Sequence, residues 1–340
     1  MRRLLLGLGF WVLVAPETAR ADRSFDLVPA PSAIDAYGLQ VVDRAQTPQQ
    51  FEFGMLAHLG WAGKPLRVEL FDMQMGRQPA SFAMVEHQAT LDLGFYLGLW
   101  DFLSLAAVVP LGVNVYDPNA VGSPTVLVPP SGASPYGSTV GTGVSAGQPR
   151  QNLGPNSAGV RDPRFAVKTR FYGGRHFEIG ALFEVTLPLG DSASFLGEPQ
   201  FTFRPKLLFG VSFWRFRFIG NVGAVVRESS WLLEPNTPPG TEPPVRLTVG
   251  HELTFGSALT LRVHRVLGLG VEAVGTAPIS QGTTFSTAAL LGSLYFLPTD
   301  KLRFSLSGGS GLFPDNPRNP TGRVLLQMCY SLSPRAGGLL

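Results

Sequence analysis

Between Gln200 and Arg227 the chain alternates two residues at a time, and this constrains its fold more than any other stretch. Phe201, Phe203, Pro205, Leu207, Phe209, Val211 and Phe213 share one parity. Gln200, Thr202, Arg204, Lys206, Gly210 and Ser212 share the other, with Leu208 the one exception. After Trp214-Arg215 the pattern returns, with Phe216, Phe218, Val222, Ala224 and Val226 set against Arg217, Asn221, Gly223 and Arg227. Period-2 alternation of this kind reads as two antiparallel strands joined by a tight turn. Strands of soluble proteins run to about 5–6 residues, whereas a strand tilted across a bilayer needs about 9–11. An uncharged, phenylalanine-rich face opposite a basic, glycine-spaced face predicts a transmembrane β-barrel, with lipid outside and a polar lumen inside. Pro205 cannot donate to a ladder, so a bulge or local gap is expected beside it.

Composition agrees. Charged residues make up 15% of the 340, against 40 Gly and 24 Phe, whereas a soluble domain carries about 25% charged residues. No apolar run beyond the N-terminus is long enough for a membrane helix. The N-terminus reads as a secretory signal: Arg2-Arg3, an apolar Leu4 to Ala15, and an Ala19-Arg20-Ala21 cleavage site. The expected organisation is a signal over 1–21, a proline-rich periplasmic lead-in over 22–35, an outer-membrane barrel over 36–331 and a tail over 332–340. Signal removal takes Arg2, Arg3, Arg20 and Glu17, so the formal charge falls from +3 to +1. Such a balance gives no reason to expect a nucleic-acid partner. Cys329 is the single cysteine, which excludes an intramolecular disulfide.

Further segments alternate in the same way. They are Gln50 to Trp61, Leu66 to Leu70, His87 to Leu99, Phe102 to Val113, Arg164 to Tyr172 and His176 to Pro188, and ahead of them the short apolar segment Tyr37 to Val42 is counted as a first strand. Downstream of the central hairpin come Arg246 to Val263, Val266 to Thr276, Phe285 to Leu297, Lys301 to Leu312 and Thr321 to Ser331. Ala62-Gly63-Lys64-Pro65 reads as a turn. The count is fourteen, or twelve if the two N-terminal segments of least regular pattern do not pair across the membrane. The connections alternate short and long, as expected for periplasmic turns and extracellular loops. The longest loop, over 114–159, is rich in Pro, Gly, Ser, Thr and Val. The last strand, with Val324, Leu326, Met328 and Tyr330 on one face, is expected to close the barrel on the first.

The C-terminal third resembles the porin-like N-terminal β-barrel region of OmpA-family outer-membrane proteins. The similarity lies in Gly250-His-Glu-Leu, Leu269-Gly-Val-Glu-Ala-Val-Gly275, Ala288-Ala-Leu-Leu-Gly-Ser-Leu-Tyr295, the run from Thr299 to Leu312, and Arg323-Val-Leu-Leu-Gln-Met-Cys-Tyr330. Gly159-Val-Arg-Asp-Pro-Arg-Phe-Ala-Val-Lys168 is similar to the strand openings of that group. The resemblance implies architecture more than activity. Those relatives continue into a peptidoglycan-binding domain, and this chain is expected to have none, ending ten residues after Tyr330.

No catalytic motif emerges, so the chain is not expected to be an enzyme. His251-Glu252 opens like a zinc-protease helix, but Phe255 stands where the second histidine would be. The five histidines show no metal spacing, so neither a metal nor another cofactor is expected. The functional candidates are charges that strand parity turns into the lumen. Eleven are basic: Arg164, Lys168, Arg170, Arg204, Lys206, Arg217, Arg227, Arg246, Arg262, Arg303 and Arg323. Six are acidic: Glu52, Asp92, Glu178, Glu184, Glu252 and Glu272. Cross-strand pairing would make them structural; an unpaired basic excess would favour anions in a pore. Phe201, Phe203, Phe209, Phe213, Phe216 and Phe218 are expected to face lipid. The expected function is a passive, porin-like channel for small solutes in a Gram-negative outer membrane. The alternative is a plugged structural or surface-display barrel. Expected partners are membrane lipid, the barrel insertion machinery and small anionic solutes.

Overall fold

The computed structural model describes residues 31–70, 80–116, 156–191, 195–198, 200–227, 230–231, 248–279, 286–313, 316 and 318–332. The expected signal and the expected tail beyond Leu332 lie outside them, as do Arg246 and most of the long loop. Fifteen strands are described. They are β1 (Phe53–Leu70), β2 (Ala80–Trp100), β3 (Leu103–Tyr116), β4 (Asn156–Val160) and β5 (Arg164–Gly173). Then come β6 (Phe177–Thr186), β7 (Thr202–Phe213), β8 (Phe216–Val225), β9 (Ser230–Trp231) and β10 (Thr248–Val249). The last five are β11 (Glu252–His264), β12 (Leu267–Pro278), β13 (Thr287–Thr299), β14 (Leu302–Gly311) and β15 (Gly322–Ser331).

Twelve of these form a closed antiparallel barrel, because β2 pairs with both β1 and β3 and β1 pairs with β15. Closure runs from Gly54 opposite Ser331 to Gly63 opposite Gly322, so the last strand does meet the first. Twelve is the lower of the two expected counts, and two segments make the difference. Gln50–Trp61 and Leu66–Leu70 belong to one long β1, and what reads as a turn between them is an irregularity within a strand. The β1–β2 register shifts between Gly63 and Arg67, and Lys64 takes φ 47°. Tyr37–Val42 is not a strand at all but lies inside the barrel.

β4 and β5 both pair with β3, with Val160 opposite Leu111 and Arg164 opposite Val108. The registers differ by one residue across Arg161-Asp162-Pro163, where proline supplies no N–H. The end of the expected long loop is thus β4, an outward extension of β5. A gap also occurs beside Pro205. The β7–β8 ladder runs from Phe213 opposite Phe216 to Lys206 opposite Gly223, and resumes only as a bridge between Phe203 and Val226.

Alternation along the strands produces an apolar exterior. Met55, Leu59 and Trp61 on β1, Leu207 and Val211 on β7, and Leu326 and Met328 on β15 are all exposed. In water such a surface would be an aggregation liability; in lipid it is buried. Phe201, Phe203, Phe213, Phe216 and Phe218 are exposed with it, and the Phe209 ring lies beside that of Phe218. Aromatic pairs gather at the short-turn end: Trp100 with Phe102, Tyr172 with Phe177, and Trp214 with Phe216. The Arg215 guanidinium lies 5.2 Å from the Trp214 ring centroid. Aromatic rings at that level mark a membrane–water interface.

The filled lumen as candidate functional site

Residues 31–50 precede β1 and run inside the barrel toward its short-turn end. Pro31 to Ala45 follow no period-2 or period-3.6 pattern, and the segment folds on local hydrogen bonds. The Asp35 carboxylate accepts from the amides of Tyr37 (3.0 Å) and Gly38 (3.2 Å), a turn that an aspartate makes with its own following backbone. The Ala33 amide donates to the Gln40 carbonyl at 3.0 Å and the Leu39 amide to the Val42 carbonyl at 2.9 Å. This loop brings Ser32, Asp35, Gln40, Asp43 and Arg44 out against the wall, and all five are buried.

The wall answers each of them. Arg164 donates to the Ser32 carbonyl at 3.0 Å and to its hydroxyl at 2.8 Å, and the Ser32 hydroxyl also meets Asp92. Lys168 pairs with Asp35 and donates to the Arg44 carbonyl at 3.2 Å. Lys206 pairs with Asp43 at 2.7 Å, and Arg44 pairs with Glu178 at 2.6 Å. Tyr37 donates to Glu52 at 2.6 Å, and Arg303 donates to the Gly38 carbonyl at 2.7 Å. Glu272 is fully buried and collects the amides of Gln40, Val41 and Val42 at 3.2, 3.0 and 3.3 Å, with the Tyr295 hydroxyl at 2.9 Å and that of Ser293 at 3.0 Å. A backbone stretch with no sheet partner must find acceptors elsewhere; here one carboxylate supplies them. At the lower rim, Thr47 donates to the Asp101 carbonyl and the Gln50 amide to its carboxylate. The wall residue there is Gly98, where a Cβ would collide with the Gln49 carbonyl.

Two apolar clusters complete the filling. Leu39, Val41 and Val42 pack with Ile219, Leu291, Tyr295 and Leu325. Ile34, Ala36 and Ala45 pack with Leu56, Tyr96, Leu182, Leu208 and Cys329. These wall residues have inward parity, so a water-filled pore would have no use for them. Leu208, the exception in the central hairpin, is one of them. Inward apolar residues were the signal that a segment occupies the lumen, and the expected polar lumen did not use it.

The remaining expected lumen charges are placed as follows. Arg164 also meets Asp92 and Glu184, both at 3.3 Å, and Arg204 meets Glu184 at 3.0 Å. Toward the long-loop end, Arg227 pairs with Glu198 and Glu252, and Arg318 meets Glu252 at 2.5 Å. Glu198 and Arg318 come from inter-strand connections that fold inward, and strand parity could not reveal them. Arg303 also donates to Gln327 at 2.8 Å, and Arg323 is buried. Arg170 donates to the Asp101 carbonyl at 2.6 Å, and Arg217 to the Ser212 hydroxyl at 2.9 Å. Arg262 is exposed near the short-turn rim. The excess of eleven over six counted strands alone; Asp35 and Asp43 neutralise Lys168 and Lys206 from the segment.

Above Pro31 and Ser32 a polar recess remains, lined among others by His58, Asp92, Arg161, Asp162, Arg164, Arg204 and Arg323. Among the described residues no group of His, Cys, Asp or Glu is arranged to hold a metal ion.

No family model matches the chain, and no curated protein does. Solved structures do. The outer membrane channel COG4313 from Pseudomonas putida F1 is similar at TM-score 0.55 and 12% identity, over 85% of this chain and 98% of that one. A NanC porin matches at TM-score 0.45 and 6% identity, over 82% and 100%. The Pseudomonas putida toluene transporter TodX matches at 0.40 and 11%, over 91% and 99%. The first of these likenesses establishes the fold, an outer-membrane β-barrel.

Proposed function

We propose that this protein is a passive outer-membrane channel for small solutes, closed in the conformation described by its own residues 31–50. A secretory signal over 1–21 takes it across the inner membrane, and the barrel insertion machinery seats it in the outer one. Kinship with the porin-like region of OmpA-family proteins belongs to this proposal and rests on the strand motifs alone.

The observation that carries the reading is what fills the lumen. Barrels of eight strands are filled by their own side chains, and those of 16–18 hold an aqueous channel. Twelve strands enclose an intermediate space, and here a segment of chain fills it. Many of its anchors are ion pairs and hydrogen bonds, which water replaces more readily than it replaces packed hydrocarbon. Moving the segment leaves a wall lined by Arg164, Lys168, Lys206 and Glu272, hence a hydrated one. The similar barrel from Pseudomonas putida F1 is an outer membrane channel, which supports this reading.

The second reading is a structural or surface-display barrel that passes nothing, and the depth at which Asp35 and Gln40 are buried favours it. Liposome swelling separates the two. Vesicles holding the chain without residues 31–48 should swell in small sugars and amino acids much faster than vesicles holding the full chain. Equal, background swelling from both, with the barrel folded, would leave the structural reading.

A further inference from the structure

The short turns do not share their charge evenly. In the order that the strands take around the barrel, they are 100–103, 173–177, 213–216, 264–267 and 299–302. The first carries Asp101, and the last Asp300 beside Lys301. The three between them hold Arg175, Arg215 and Arg265, with Arg262 at the end of β11, and no acid. Backbone hydrogen bonds set these three turns side by side. The Ser212 amide donates to the His176 carbonyl at 2.8 Å, and that of Arg262 to the Arg215 carbonyl at 3.0 Å. The basic arc therefore follows β5 to β8 and on through β11 and β12, half of the barrel, or roughly 25 Å at about 4.8 Å per strand.

All four arginines are exposed, and among the described residues none of them is in an ion pair. Glu178, the carboxylate of β6 on this side, is engaged by two nitrogens of Arg44, at 2.6 and 3.2 Å. Beyond its expected signal the chain carries a formal charge of only +1, so the arc is a local concentration and not a general basicity. Like charges held on neighbouring turns repel, and a matching anionic surface stabilises them.

The aromatic residues beside the arc identify that surface. Phe171, Tyr172, Phe213 and Trp214 are exposed, and Trp214 packs against the outward Phe216. Rings of this kind settle among lipid head groups. The Arg215 guanidinium sits on the Trp214 ring, which holds its charge on the outer surface at head-group level. A soluble acidic protein would meet the rim from below, clear of the aromatic girdle, whereas a lipid phosphate lies beside it. Short turns face the periplasm, so the leaflet concerned is the periplasmic one. We propose that Arg175, Arg215 and Arg265 bind the phosphates of anionic phospholipids, of which phosphatidylglycerol is the simplest, in that leaflet. Guanidinium forks match phosphate oxygens two at a time. Each basic residue near an anionic surface strengthens association about fivefold, so three together give about a hundredfold. This surface is independent of whether the barrel conducts.

The test titrates the detergent-folded full chain with phosphatidylglycerol or phosphatidylcholine of the same acyl chains and counts bound lipid by native mass spectrometry. Phosphatidylglycerol should be retained about a hundredfold more tightly. Arg265→Gln should cut that preference about fivefold, and the combination of Arg175→Gln, Arg215→Gln and Arg265→Gln should abolish it. Lys301→Gln, outside the arc and beside Asp300, should leave it unchanged. Each variant is checked for heat-modifiable migration. With the unsubstituted chain, salt near 1 M, where the screening length is about 3 Å, should remove the preference, which keeps the test decisive if a variant does not fold. A preference unchanged in the folded triple variant or at high salt, or an equal loss in Lys301→Gln, would overturn the proposal. Full displacement by inorganic phosphate at the lipid's own concentration would overturn it in favour of a free-anion site, and equal retention of the two lipids in favour of a soluble acidic partner.

Discussion

Replacing Glu272 by alanine removes the one carboxylate on which the backbone of residues 40–42 converges. Three amides, at 3.2, 3.0 and 3.3 Å, lose their acceptor at a site with no exposure. Hydrogen bonds to a charged group contribute about 1.5–3 kcal/mol each. Simple addition would give about 4.5–9 kcal/mol, but bonds sharing one acceptor are not independent, and water can enter the vacated space. A lower bound of about 3 kcal/mol is the safer figure, equivalent to a factor of about a hundred in the docking equilibrium. Hydrogen exchange on the detergent-folded protein reads this directly. Protection of the Gln40, Val41 and Val42 amides should fall at least about a hundredfold, while the paired amides of β12 and β13 keep theirs. Glu272→Gln retains the shape and one carbonyl acceptor, so its loss should be smaller, about tenfold. Unchanged protection in both variants would show that apolar packing alone holds the segment. Equal loss in the strands would show that Glu272 supports the barrel and not the segment.

Lys168→Met leaves Asp35 buried without its cation. Breaking one side of a buried pair destabilises by about 3–5 kcal/mol, so the Ile34 to Gly38 amides should exchange faster, and adding Asp35→Asn should restore most of the protection. On the outer surface, Phe203→Arg or Phe209→Arg should weaken folding into bilayers by about 2–4 kcal/mol if the residue sits near the midplane. Equilibrium unfolding from vesicles measures it, and unchanged stability for both would refute the lipid-facing assignment.

The wall of this protein was legible because a strand with lipid on one side and the lumen on the other must alternate. That requirement exposed the hairpins, the short turns and the closing strand, and even the gap beside Pro205. It failed where the chain answers to something other than lipid. Lys64-Pro65 carries turn chemistry, yet the strand continues through it as an irregularity, since β1 on its far side still pairs with β2. Tyr37–Val42 has the apolar content of a strand, but its amides face a glutamate side chain and not a neighbouring backbone. Asp35, Asp43 and Arg44 complete the lumen from a segment without periodicity, so no parity argument could enrol them. What the sequence did hold was the mismatch: Leu56, Leu182, Leu208, Leu291 and Leu325 on a face meant to be polar.

Residues 31–50 are proposed to close a barrel otherwise able to conduct. Single-channel recording in planar bilayers tests it most directly, comparing the full chain with one lacking residues 31–48 at equal, verified insertion. Long-lived, stepwise openings are expected for the shortened chain, and a quiet baseline or brief, small events for the full one. A shortened barrel that is folded and inserted yet silent, or a full chain that conducts as well as the shortened one, would contradict it.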